Sequence, residues 1–316
     1  MIIFIENRLF VKSNFSALNN RNFAFVLAFL AAVIYGISFT IAKDVMPKYI
    51  LPYGFILLRV TGATILFWLI SLTIPKEKII FKDFKNIFFA ALFGVALNML
   101  TFFKGLSLTT PINGSVIMIT TPIMVMIFSF LFLRESMTWK KLLGVLLGMI
   151  GAFMLLRFGQ KVQINAPNVH LGNFLVFVNA SSYAMYLIVV KPILNKYHPF
   201  HAIKWIYLLG WFMVLPFGLA QVLEVSWIDI PQMIGLKIVF IVVFTTFFTY
   251  MFNIVALRNL KPTTLSVFIY LQPLIASIFA IIMQSDQLDY IKIMSAILIF
   301  TGVYLVSHQR KGKTSN

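Results

Sequence analysis

The side chains with the most chemistry to offer are basic groups set inside apolar runs. Arg59 stands seven residues into a run that begins at Pro52, about 10 Å along the axis if that run is helical. Lys104 holds a similar place near the end of a run over 84–106. A guanidinium or ammonium facing hydrocarbon is costly, so each must meet water, a ligand or a polar partner, or else snorkel to a headgroup layer. The chemistry they offer in a cavity is electrostatic capture of an anionic group. Lys43 and Lys191 end their runs, which suits snorkelling.

Uncharged polar residues recur in the same runs. Asn98 and Thr101 share one, Asn113, Thr120 and Thr121 another, and Asn179, Ser182, Tyr183 and Tyr186 a third. Thr249, Tyr250 and Asn253 lie in a fourth, Tyr270 and Gln272 in a fifth, and Tyr35 in the first apolar run. Hydrogen bonds between helices are the usual fate of Ser, Thr and Asn in a bilayer. Asn98, Asn253 and Gln272 need more partners than that, so lining a cavity is the other reading. The tyrosines offer a stacking face and a hydroxyl to an amphipathic ligand.

The acids are placed differently. Glu6, Asp44, Glu77, Asp83, Glu135, Glu224, Asp229, Asp286 and Asp289 all fall in loops or at the ends of runs, as do His170, His198, His201 and His308. No carboxylate stands at mid-run for a proton relay, and no His/Asp/Glu cluster suggests a metal. No Walker spacing suggests ATP, and there is no Cys, hence no thiol chemistry. No cofactor is expected.

Composition names the solvent. The chain is 60% hydrophobic and 11% charged, with a mean hydropathy of +0.94. A soluble core cannot hide that much apolar residue, so the chain is polytopic in a lipid bilayer. The net charge of +17 does not imply nucleic acid, because the basic residues sit singly or in short groups between apolar runs. Residues 1–21 lack a signal-peptide pattern and read as a cytoplasmic tail, with a short interfacial helix as one form for it. Spans are expected at 22–43, 52–74, 84–106, 110–133, 138–157, 171–191, 200–222, 232–258, 262–284 and 288–308. Residues 158–170 read as a linker and 309–316 as a second tail.

The chain repeats itself. Shifted by 151 positions, Pro111 falls on Pro262, Ser115 on Ser266, Pro122 on Pro273, Glu135 on Asp286, Lys141 on Lys292 and Gly151 on Gly302. Each copy opens a helix with Pro and carries a second Pro at mid-length, where Pro122 and Pro273 free a carbonyl and bend the helix. Eighteen Lys and Arg fall in inside segments and seven outside when the N-terminus starts inside, so both termini are expected to be cytoplasmic. Five spans per repeat is odd, so the second repeat, 171–308, is expected to lie upside down relative to the first, 22–157.

These features together resemble the EamA-type members of the drug/metabolite transporter superfamily over about 25–308. The marks are YGISFTIAK at Tyr35–Lys43, the Pro52-to-Arg59 start of the second span, and the Pro…Pro…acid pattern followed by Gly in each repeat. YAMYLIVVK at Tyr183–Lys191 repeats the first mark, while no Arg in the second repeat matches Arg59. The resemblance implies ten helices in two inverted EamA repeats. It also implies a carrier of the cell (inner) membrane that exposes a central cavity to alternate sides, usually as an exporter of small metabolites.

The candidate substrate-binding residues are Tyr35, Arg59, Asn98, Lys104, Asn113, Tyr183, Tyr186, Tyr250, Asn253, Tyr270 and Gln272. With Arg59 and Lys104 in the cavity, an anionic or zwitterionic substrate such as an amino acid is expected. Aromatic faces hold a cation by ~1–2 kcal/mol. Two cations oppose it by ~2 kcal/mol each at ~8 Å and an effective dielectric of ~20. Efflux of lipophilic cations is the alternative within carriers. An embedded enzyme or a sensor is the alternative outside them, and it lacks the acid–base constellation it needs.

Overall fold

The computed structural model describes residues 20–109, 111–158, 168–282 and 289–308. The tail over 1–19, the centre of the expected linker, Asp286 and the tail over 309–316 lie outside the described residues, as do the side chains of Asn113 and Lys43. Among the described residues, ten helices are long and apolar enough to cross a membrane. They are α1 Arg21–Val45, α2 Pro52–Ser71, α3 Phe81–Leu108, α4 over 111–133, α5 Trp139–Phe158, α6 Val169–Lys196, α7 Pro199–Leu223, α8 Gln232–Asn259, α9 over 262–282 and α10 Tyr290–Ser307.

Local chemistry sets where they start and stop. Asn20 caps α1 by accepting from Asn22 N at 2.9 Å, and Asp289 caps α10 by accepting from Lys292 N at 2.8 Å. Proline opens α2, α4, α7 and α9, where a missing N–H costs nothing. Arg134 ends α4 in the left-handed region, at φ 53°. Behind it, Lys141 Nζ reaches Glu135 at 2.6 Å and the Ser136 carbonyl at 2.7 Å, and this ion pair is buried.

Four helices are irregular. α4 stops at Met118 and resumes at Thr121, just ahead of Pro122. Pro122 cannot donate to the Met118 carbonyl, and the Thr121 hydroxyl donates there instead at 2.6 Å. α9 tightens into a 3₁₀ stretch over Val267–Tyr270 before Pro273. α3 and α8 widen into π turns over Leu92–Ala96 and Ile241–Phe248. The 151-residue shift carries the first π segment into the second. The sequence reading did not anticipate either one.

The contacts divide the chain into two units. Unit 1 is Met1–Ala91 with Val189–Lys261, and unit 2 is Leu92–Ile188 with Pro262–Asn316. Each unit draws on both repeats. In unit 1, α2 packs along α7 and α1 along α8. Phe55, Val60, Ala63 and Phe67 of α2 are buried with Ile203, Ile206 and Val214 of α7. In unit 2, α5 packs along α10, and the first turn of α9 meets α4.

At one end of unit 1 the segment between α2 and α3 is tied to the α6–α7 corner. Glu77 accepts from His198 N at 2.8 Å, and His201 Nε2 pairs with the Pro75 carbonyl at 2.9 Å. Tyr197 donates to Asp83 at 2.5 Å. His198 also caps α7, its Nδ1 accepting from Phe200 N. Burial, then the charge of Arg258 and the neighbouring His201, holds the His198 imidazole down to about 4. A cation at a helix N-terminus is also opposed by the helix dipole. The unfolded chain, with an ordinary His near 6.5, therefore binds more protons than the folded chain between about pH 6.5 and pH 4. Stability is expected to fall as pH drops through that window. The melting midpoint in detergent should decline from pH 7.5 to pH 5, and His198→Asn, which keeps a capping acceptor, should flatten that decline. An identical pH slope in the variant would refute the assignment.

Candidate functional site

Arg59 does not snorkel. It is 7% exposed, and its Nε donates to Thr246 Oγ1 on α8 at 3.0 Å. The contact is possible because of the π turn. The Thr246 hydroxyl gives its own proton to the Ile241 carbonyl at 2.9 Å, five residues back, and so faces Arg59 as an acceptor. Tyr250, Tyr35 and Tyr207 lie in the neighbourhood of the guanidinium. Beside this centre Ser38 and Thr245 share a hydrogen bond of 2.5 Å, which joins α1 to the same π turn.

Aromatic packing walls the centre. The Tyr207 and Tyr250 rings meet edge-on at 5.2 Å, and Phe67 lies 4.8 Å from both Tyr207 and Phe247. The arrangement inside unit 1 is thus a buried cation among hydroxyls on α1, α7 and α8. Hydroxyls both donate and accept, so the centre can accompany a carboxylate bound to the guanidinium. Four helices of both repeats build it.

The other expected residues are placed less uniformly. Asn253 is half-buried on α8, three residues beyond Tyr250. In unit 2, Asn98 and Asn179 exchange side-chain hydrogen bonds to each other's backbone carbonyl, at 3.4 and 2.7 Å. Ser182 donates to the Phe93 carbonyl in the π turn of α3 at 2.7 Å. Tyr186 is buried against Gly94 of that turn, with Tyr183 6.0 Å away. Tyr270 is fully buried against Gly148, and Gln272 is half-buried two residues on. Lys104 is exposed on α3.

Lys191 corrects the sequence reading. It turns inward and donates to the carbonyls of Leu257, Arg258 and Leu260, at 2.6, 3.0 and 3.0 Å. These are orphan acceptors at the C-terminus of α8, where a cation also meets the negative end of the dipole. Many Ser and Thr hydroxyls likewise bond within their own helix rather than between helices, as Thr61 does to Leu57 O and Thr101 to Leu97 O.

Thr246 and Tyr207 were missed. The internal repeat held a signal for both. The 151-residue shift pairs Arg59 with Gly210, Thr246 with Val95, Tyr207 with Ile56 and Tyr250 with Met99. Polar groups present in one repeat and replaced by apolar residues in the other converge on one centre.

Ten apolar helices built from a duplicated five-helix pattern, with a buried polar centre, define a polytopic membrane carrier fold. The EamA-like transporter family model matches residues 22–157 and 170–308, and the chain belongs to that family. It is similar to an uncharacterized transporter of Archaeoglobus fulgidus, with 28% identity over 89% of this chain and 97% of that protein. It is also similar to the uncharacterized transporter YyaM of Bacillus subtilis, with 23% identity over 65% and 67% of the two chains. A solved crystal structure superposes with a TM-score of 0.74 at 14% identity, covering 90% of this chain and 96% of that one, which speaks for the fold.

Proposed function

We propose that this transporter exports small anionic or zwitterionic metabolites, amino-acid-like compounds foremost, by alternating access across the cell membrane. The observation that carries the reading is the buried Arg59, whose Nε donates to Thr246 Oγ1 at 3.0 Å beside the packed rings of Tyr207 and Tyr250. Among the described residues, Asp44, Glu77, Asp83, Glu135, Glu224, Asp229 and Asp289 lie in loops or at helix ends, so the counter-charge at this depth is best supplied by the substrate. Tyr35, Arg59, Tyr250 and Asn253 serve the charged end of the substrate. The two repeats run in opposite senses with both termini cytoplasmic, as the odd span count and the Lys/Arg bias support.

Counterflow in proteoliposomes tests this with a labelled panel of amino acids, short carboxylates and a quaternary ammonium dye. Accumulation of carboxylate-bearing compounds, blocked by unlabelled carboxylates, is expected. Robust transport of the dye with no response to carboxylates would overturn the reading in favour of lipophilic-cation efflux.

A further inference from the structure

We propose that Thr246 is a positioning residue that dictates how Arg59 meets a carboxylate, an inference that rests on the function proposed above. The guanidinium is a planar fork with five N–H donors and two bidentate edges. One edge joins Nε to a neighbouring Nη, and the other joins the two Nη groups. Thr246 Oγ1 takes the Nε–H at 3.0 Å, which removes the first edge. A carboxylate can then dock in bidentate fashion only through Nη1 and Nη2.

Thr246 has this role because its own proton is already committed. Its O–H points to the Ile241 carbonyl at 2.9 Å, so the lone pairs are what remain for Arg59. The i−5 contact belongs to the π turn over Ile241–Phe248 and would be out of register in a regular α-helix. Thr246 is fully buried, so bulk solvent does not compete for its lone pairs. The π turn of α8 therefore works as a mount for the guanidinium. α3 has a π turn at the shifted position too, but the residue there is Val95 and the residue matching Arg59 is Gly210, so in that repeat the accepting hydroxyl and the cation are both absent.

The prediction separates positioning from packing. Thr246→Val keeps the shape and loses both hydrogen bonds. It is expected to raise KM for leucine about 10-fold with Vmax within about two-fold, because the lost order falls on binding. Transport of leucinamide, which lacks the carboxylate, should not change. Thr246→Ser should restore the wild-type KM. If Thr246→Val does not reach the membrane, Thr246→Ala is measured by the same criteria. An unchanged leucine KM in Val or Ala, equal losses for leucine and leucinamide, or failure of Ser to restore binding would each overturn the proposal. Arg59→Gln in parallel isolates its foundation. Should Arg59→Gln leave leucine transport intact, or wild type carry no leucine, the functional reading falls as well. Should Arg59→Gln abolish it while Thr246→Val does nothing, only the positioning role falls.

Discussion

Arg59→Gln is expected to lower the transport efficiency for carboxylate substrates by about 100-fold or more while the protein still inserts and folds. The magnitude follows from the class of interaction. Removing one partner of a desolvated, hydrogen-bonded charge pair costs ~2–5 kcal/mol, and each ~1.4 kcal/mol is tenfold. Folding should survive because glutamine keeps an N–H donor for Thr246 Oγ1 and removes a charge that is 93% shielded from solvent. Without substrate that charge is a burden on the folded state, so the melting midpoint of the variant should be equal to or above that of wild type. Arg59→Lys should recover little of the activity. An ammonium is a point donor and cannot hold Thr246 and a bidentate carboxylate at once. The measurement is initial-rate uptake in proteoliposomes at matched protein density, beside a melt in detergent. Full activity in Arg59→Gln would remove the anion site from the mechanism.

Gly302→Leu is expected to disrupt unit 2. On α10, a Cβ at residue 302 would lie 2.5 Å from the Gly144 carbonyl oxygen and 2.6 Å from Gly148 N, both backbone atoms of α5. A Cβ on Gly144 would meet the Gly302 carbonyl oxygen at 2.8 Å. Backbone atoms cannot rotate away, so the helices themselves must separate. Helix pairs in lipid gain little from burying apolar surface and depend on close packing of small residues, which is what separation removes. Overpacking of this kind costs ~3 kcal/mol or more, and a drop in melting midpoint on the order of 10 °C or loss of the folded protein is expected. Gly235→Leu is the matched control, because a Cβ there meets nothing within 4 Å. Its melt should coincide with wild type. Equal melts for both variants would show that the α5–α10 contact does not govern stability.

What the sequence by itself determined is the solvent, the span count and the duplication. Apolar runs about 20 residues long cross a bilayer whatever their neighbours are, since each helix satisfies its own backbone in lipid. Pro122 and Pro273 announce irregularity in α4 and α9 because a missing N–H is a local property. Arg59 stood out because a cation deep in an apolar run is costly at any rotation of the helix.

What surrounds Arg59 was decided by tertiary structure. Thr246, 187 positions away, reaches it only because α2 and α8 pack together and α8 widens into a π turn. No residue type announces that turn, since helix register is set by the packing of neighbours. Lys191 shows the same limit. Its place at a helix end fits snorkelling and capping equally well, and the orphan carbonyls of α8 lie nearly 70 residues along the chain. Asn98 and Asn179 satisfy each other's backbone carbonyls for the same reason. A local pattern gives a side chain its depth in the membrane. Its direction and its partner depend on which helix faces lie together, and that is fixed by contacts distant in sequence.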